Sequence, residues 1–271
     1  MTRCESARTH GRPSIWWESE GSARVARPRD QPTAASVLLE LESSADPEKA
    51  AFYPRFFRAG PGEYGEGDRF LGVIVPVQRK VARRRRELPL EEVELLLESP
   101  WHEARLTGLL ILVERFRAAA KRGDDDERHE IAELYLSRLD RVDNWDLVDS
   151  SAPTLLGEHL EHDPRRAAVL DELAASGDLW RQRIALLATL HFIRQGDFAD
   201  TLRLAERLLD HPHDLIHKAS GWMLREIGKR DEDAMLGFLR RHYDRLPRTT
   251  LRYAIEKLPE ARRKAALRGE I

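Results

Sequence analysis

The stretch Asn144-Trp145-Asp146-Leu147-Val148-Asp149 sets the pattern from which the fold can be read. A helix-capping residue precedes an indole, and apolar residues come after it at helical spacing. Similar openings recur on either side, at Pro100-Trp101-His102-Glu103, Asp178-Leu179-Trp180-Arg181, Asp214-Leu215-Ile216-His217 and Pro247-Arg248-Thr249. The intervals run from about 33 to 44 residues. Each opening leads into a run of small and apolar positions, as at 109–112, 155–156, 185–187 and 219–223. A chain punctuated in this way after Pro89 is a succession of helix pairs.

This is the period of HEAT or armadillo repeats, in which neither helix of a pair buries its apolar face except against adjacent pairs. The expected fold is therefore all-α, an α-α superhelix (solenoid) of HEAT-like helical repeats, with the second helices lining a concave wall. Alternating strands and Asn-Gly hairpins are absent, and the only extended-looking piece is Phe70-Leu71-Gly72-Val73-Ile74-Val75 before Pro76. Helical spacing begins at Ala35 with Val37, Leu38 and Leu41, and Asp46-Pro47 starts a new helix. Residues 1–34, rich in Arg, Ser, Pro and Gly, carry no periodicity and read as a disordered N-terminal extension before a single repeat domain over 35–271.

Composition narrows the function classes. Cys4 is the single cysteine, which excludes an internal disulfide and a thiolate metal cluster and fits a reducing cytoplasm. No apolar run approaches the roughly 18 residues of a membrane helix, so no membrane partner is expected and the chain reads as cytoplasmic. The net charge of -2 hides an asymmetry: residues 90–163 hold 8 basic against 19 acidic residues, and residues 211–271 hold 14 against 9. The basic residues are 38 Arg and 7 Lys, a bias toward planar contacts with phosphate or carboxylate that a GC-rich genome also produces.

Trp145, Trp180 and Trp222 recur at near-regular intervals. Asp149 lies four residues after Trp145 and Arg183 three after Trp180, one turn along the same helical face in each case. Aromatic, carboxylate and guanidinium groups can thus converge from successive helices on one surface. By burial preference alone, each Trp is more often a packing residue. Asp149 could cap a turn near Pro153, and Arg183 could pair with a carboxylate of a neighbouring repeat.

The segments Phe57-Arg58-Ala59-Gly60-Pro61-Gly62-Glu63-Tyr64-Gly65-Glu66-Gly67-Asp68-Arg69-Phe70-Leu71-Gly72-Val73, Asn144 through Asp149, Leu179-Trp180-Arg181-Gln182-Arg183 and Gly221-Trp222-Met223-Leu224-Arg225-Glu226 resemble the AlkD family of DNA alkylation-repair glycosylases. The resemblance spans about residues 35 to 268. It implies HEAT-like repeats wrapped around duplex DNA and release of N3- and N7-alkylated purines. It sets Trp145, Asp149, Arg183 and Trp222 at the family's active-site positions, with Trp101 and Trp180 left as packing residues.

The activity that the resemblance implies agrees with elementary chemistry. An N3- or N7-alkylated purine is cationic and already a good leaving group. The catalyst then has to stabilise positive charge growing on the sugar, a task for a carboxylate, here Asp149, which can also orient the attacking water. Trp145 and Trp222 would flank the sugar with indole faces, and Arg183 would hold a phosphate. Arg225, Arg248 and Arg252 on the basic C-terminal repeats, and the Arg83-Arg84-Arg85-Arg86 run, are further candidates for phosphate contact, although an exposed charged helix face explains such a run equally well.

Other motifs carry less. The Gly60-Pro61-Gly62-Glu63-Tyr64-Gly65 loop lacks the context of a phosphate cradle and reads as a tight packing turn. Residues 124–127 read as an exposed inter-helix loop. His211, His213 and His217 straddle a turn with Pro212 between them, so no metal is assigned and no cofactor is expected. The site is expected to comprise Asp149, Trp145 and Trp222 for catalysis and Arg183, Arg225 and both indoles for DNA, in a monomer acting on duplex DNA that contains alkylated purines. Two other classes remain: a non-catalytic HEAT-repeat protein binding damaged or branched DNA, and a protein-interaction scaffold.

Overall fold

The structure is a computed structural model that describes residues 32–271. The expected extension at residues 1–34 lies almost wholly outside the described residues; within them, Thr33 already caps the first helix. In chain order the helices are α1 (Ala34–Glu42), α2 (Pro47–Phe56), α3 (Val75–Arg84), α4 (Leu90–Leu97), α5 (His102–Arg122), α6 (Asp125–Ser137), α7 (Trp145–Ala152), α8 (Arg166–Ala175), α9 (Leu179–Ala188), α10 (Leu190–Arg194), α11 (Ala199–Arg207), α12 (Asp214–Gly228), α13 (Glu232–His242), α14 (Arg248–Ala254) and α15 (Glu260–Arg268). A short 3-10 turn spans Leu139–Arg141, and a π-helical segment, Pro153–Glu158, continues α7. The described residues contain no strand, and the fold is the α-α superhelix expected.

The five openings are the first turns of α5, α7, α9, α12 and α14, which pack on one another in that order along the molecule. Counted as α6 with α7, α8 with α9, α11 with α12 and α13 with α14, these inner helices are the second of each pair. Their starts are set by local chemistry. Asn144 accepts from the Trp145 amide at 2.9 Å, and Asp178 accepts from the Trp180 and Arg181 amides. At α12 the cap is His213, one residue ahead of Asp214, while α5 and α14 begin without a side-chain cap. In those two helices, packing rather than capping fixes the first turn.

Helix α5 is the pivot of the N-terminal half. It contacts α3, α4, α6 and α7 and is buried without interruption from His102 to Val113. A helix buried on all sides is held by its neighbours rather than by one apolar stripe. One continuous apolar cluster runs from Val37 in α1 to Ala266 in α15, as expected where each pair is stable only against the next.

Two readings of the sequence change. Residues 124–127 are not a loop: Asp124 caps α6 by accepting from the Glu127 amide, and Asp125, Asp126 and Glu127 form its first turn. Acidic side chains at a helix N-terminus face the positive end of the helix dipole, so the run is a helix start. The stretch at residues 70–74 is not the extended piece expected: it joins no sheet, Gly72 turns the chain with φ +83°, and Val75 already belongs to α3. The buried Glu103 carboxylate accepts from the amides of Leu71, Gly72 and Val73, replacing the partners a strand would have supplied.

Glycine sets the closest inter-helix approach near the C-terminal end. A Cβ on Gly221 of α12 would lie 2.5 Å from the Tyr253 Cβ and 2.6 Å from the Thr250 carbonyl oxygen of α14. Gly221→Ala should therefore lower unfolding free energy by about 1 to 3 kcal/mol. Gly237→Ala, whose Cβ meets nothing within 4 Å, should be neutral or mildly stabilising in the same denaturant titration.

Candidate nucleic-acid interface and active site

The inner helices meet at a cleft of about 560 Å³ lined by Phe56, Tyr64, Trp145, Asp149, Arg183, Leu215, Lys218, Trp222, Arg225 and Tyr253. Every residue expected at the site from the sequence is among them. Trp145 and Asp149 come from α7, Arg183 from α9, Trp222 and Arg225 from α12. The one-turn offset between Trp145 and Asp149 does bring both to one wall. The partner offset works differently, since Arg183 enters the cleft while Trp180 turns away, 8% exposed and edge-on to Tyr64.

At the floor, Arg183 donates from Nε to Asp149 Oδ1 at 2.9 Å and from Nη2 to Oδ2 at 2.8 Å. Its Nη1 donates to the Leu215 carbonyl of α12 at 2.6 Å. The guanidinium is thus committed on three nitrogens, with one hydrogen left on each terminal nitrogen. The sequence leaves this side chain two partners, a phosphate or a carboxylate of a neighbouring repeat; the structure shows the second, Asp149 of the preceding repeat. Burial raises the Asp149 pKa above the ordinary 3.8, Arg183 works against that rise, and the nearby Asp146 charge adds to it.

Both indoles are held by neighbours. Trp145 stacks on Phe57 with centroids 5.6 Å apart and meets Phe56 edge-on at 5.8 Å. The Trp222 indole N–H donates to Glu226 Oε1 one turn along α12 at 3.1 Å. Glu226 also takes Lys229 at 2.6 Å, and Arg225 pairs with Glu256 of the loop after α14. Lys218 pairs with Asp214 at 3.0 Å on the half-exposed rim.

Beneath Trp145 lies a buried polar network. The His102 ring bridges Asp68 and Asp146 through Nδ1 and Nε2, each at 2.9 Å. Arg105 binds Asp68 and Asp143, and Asn144 donates to Asp68 and to the Phe57 carbonyl. Burial alone would depress the His102 pKa, but the two carboxylates hold it up at about 9. The imidazolium packs under Phe57 at 4.5 Å, so a cation, Phe57 and Trp145 form one column. The glycine-rich loop closes over this network: a Cβ on Gly65 would lie 2.6 Å from the Phe57 carbonyl and 3.0 Å from Asn144 Nδ2.

Several sequence candidates fall elsewhere. Arg84 and Arg85 pair with Glu40 of α1, and Arg86 pairs with Glu87. Arg248 donates to the Leu267 carbonyl, and Arg252 lines a separate depression beside α15. His211 binds Gln182, His217 binds the His211 carbonyl, and His213 caps α12, so all three histidines serve packing. Phe56, Tyr64, Lys218 and Tyr253 join the site without having been expected there from the sequence. Lys218 was within reach, since Lys218, Trp222 and Arg225 are spaced i, i+4, i+7 and share one face of α12. Among the described residues, no helix is long and apolar enough to cross a membrane.

The His102 network makes stability pH-dependent. Its folded pKa of about 9 lies above the ordinary 6.5, so its contribution is complete below 6.5 and is lost as pH rises through 9. Unfolding free energy should fall over that window by on the order of 3 kcal/mol. Denaturant titrations of His102→Gln should show a lower stability at neutral pH and a much flatter slope from pH 6.5 to 9.

A family model described as "DNA alkylation repair enzyme" matches residues 37–258. The fold is similar to a solved structure titled "Predicted DNA alkylation repair enzyme from Enterococcus faecalis", with a TM-score of 0.61 and 15% identity, covering 80% of this chain and 98% of that one. No curated protein matches at a significant level.

Proposed function

The chain belongs to the family of DNA alkylation repair enzymes, and from that premise we propose that it is a DNA glycosylase that hydrolyses the N-glycosidic bond of cationic N3- and N7-alkylated purines in duplex DNA. The observation that carries this reading is the partly buried Asp149 carboxylate at the floor of a cleft walled by Trp145 and Trp222.

The substrate base carries a positive charge and leaves as a neutral purine, so no proton has to be delivered to it. Positive charge moves instead onto C1′ and O4′ of the deoxyribose. A carboxylate withdrawn from water interacts with that charge more strongly than a solvated one, because less of its field is screened. Each Asp149 oxygen takes one hydrogen from Arg183 and keeps acceptor capacity for a water directed at C1′. The indole faces of Trp145 and Trp222 add attraction for a cationic sugar, worth roughly 0.5 to 2 kcal/mol each by the general range. Lys218 and Arg225 at the rim, with the remaining Arg183 hydrogens, suit the phosphates on either side. The chemistry calls on no metal, and a single chain supplies every group named.

The deciding experiment is release of 7-methylguanine and 3-methyladenine from methylated duplex DNA in the presence of EDTA. Wild type should release both, and Asp149→Asn should lose on the order of a hundredfold or more while binding DNA nearly as well. An Asn variant that cuts like wild type would overturn the assignment. Trp222→Ala should weaken DNA binding and excision together; a change in thermal stability alone would return this indole to a packing role.

The pH dependence comes from the environment of Asp149. Excision should fall on acidification as the carboxylate protonates, with the midpoint above 3.8 because burial raises its pKa. Arg183→Gln removes the group that opposes that rise, so the acidic limb of its single-turnover rate profile should move to higher pH. A protein scaffold, the other use of such repeats, predicts no lesion-dependent DNA affinity and no steep salt dependence of DNA binding.

A further inference from the structure

Away from the cleft, α6 carries His129 and Glu133 four residues apart, hence on one face. The chain returns beside them at His159, immediately after the π-helical segment Pro153–Glu158. One ligand-type atom from each of the three side chains lies within 4.8 Å of the others. Among the described residues, no hydrogen bond or ion pair engages any of the three side chains. The nearby cation is otherwise committed: Arg128 pairs with Asp125, donates to the Glu158 carbonyl and covers the Phe116 ring.

We propose that His129, Glu133 and His159 form a site for a divalent transition-metal ion of the zinc class, on a face that contributes no residue to the cleft. Two imidazoles and a carboxylate are the donor set of three-ligand zinc sites, with a water in the fourth position. Zn–N and Zn–O bonds of about 2.0 to 2.2 Å require the ligand atoms to close by on the order of 1 Å, which the exposed His129 and Glu133 side chains can supply by changing rotamer toward the partly buried His159. Calcium and magnesium, which seek several oxygens, are poorly served by two imidazoles.

The backbone explains why the third ligand arrives there. Pro153 has no amide hydrogen to continue the α7 ladder, and the helix passes into a π turn. An extra residue in a turn rotates the succeeding side chains by about 100° relative to an uninterrupted α-helix. His159, which emerges from that turn, meets the His129 ring at 5.6 Å. A bound ion would join α6 to the end of the helix that carries Trp145 and Asp149. This inference does not depend on the glycosylase reading.

Zinc titration of the full chain by calorimetry, with thermal denaturation in ZnCl₂, MgCl₂ or EDTA, tests the site. Wild type should bind zinc and melt higher in zinc than in EDTA, with no such rise in magnesium. His129→Ala and Glu133→Gln, both at exposed positions, should keep the wild-type circular dichroism and EDTA melting point while zinc affinity at this site falls at least tenfold. No zinc binding by wild type, an undiminished equivalent in both variants, or an equal shift in magnesium would each overturn the proposal.

Discussion

The site is organised by one buried guanidinium. Arg183, with its side chain 5% exposed, has to be paired where it lies, because an unpaired charge withdrawn from water costs far more than a weakened contact. Its partners come from the preceding inner helix, through Asp149, and from the next one, through the Leu215 carbonyl. Three successive helices are thereby tied at one point, and the indoles of α7 and α12 stand on either side of it. The close approach of α14 at Gly221 brings Tyr253 to the same cleft, while the glycine-rich loop, seated over Asn144 through Gly65, carries Tyr64. Repeat geometry thus converts single residues one period apart into neighbours.

That conversion also explains which features are legible in the sequence. The openings at Asn144, Asp178 and His213-Asp214 recur because each inner helix needs its first amides satisfied, and recurrence is a linear signal. Asp149 and Arg183 stand 34 residues apart, which is one repeat, so their adjacency is available from the period. The direction of the guanidinium is not. A side chain that can bind a phosphate can equally bind the next carboxylate, and residue type does not distinguish them. The acidic start of α6 reads as a loop for a related reason: charge runs mark loops and helix N-termini alike. The contacts hardest to foresee are those made by irregular backbone. Glu103 holding three successive amides of an irregular segment and His159 emerging from a π turn have no periodic signature.

The His102 network sits under this arrangement as a rigid base. Asp68, within the glycine-rich loop segment, and Asp146, beside Trp145, converge on one imidazolium, and so the loop and α7 are fixed to the start of α5. A buried network that holds its imidazolium on both ring nitrogens orients the groups packed on it. Phe57 lies between that imidazolium and Trp145, so the indole is braced from behind before any ligand arrives. Stability and site geometry share these residues, since the charge that strengthens the fold at neutral pH also supports one wall of the cleft.

An ion pair at the floor raises an electrostatic question, since a carboxylate neutralised by a guanidinium attracts a developing cation less than a bare one. Exposure supplies the answer. Asp149 is 18% exposed against 5% for Arg183, so the negative end of the pair is the more accessible to a ligand and the positive end lies deeper, against the Leu215 carbonyl. A cation in the cleft approaches the carboxylate more closely than the guanidinium, and in a poorly screened site that difference in distance is worth more than it is in water. Arg183 therefore acts on the proposed chemistry in two opposing ways. It keeps a partly buried carboxylate ionised, and it withdraws part of its charge. Fixed orientation with the carboxylate outward lets the first effect prevail at the sugar, which is the property expected of a preorganised site rather than of a surface salt bridge.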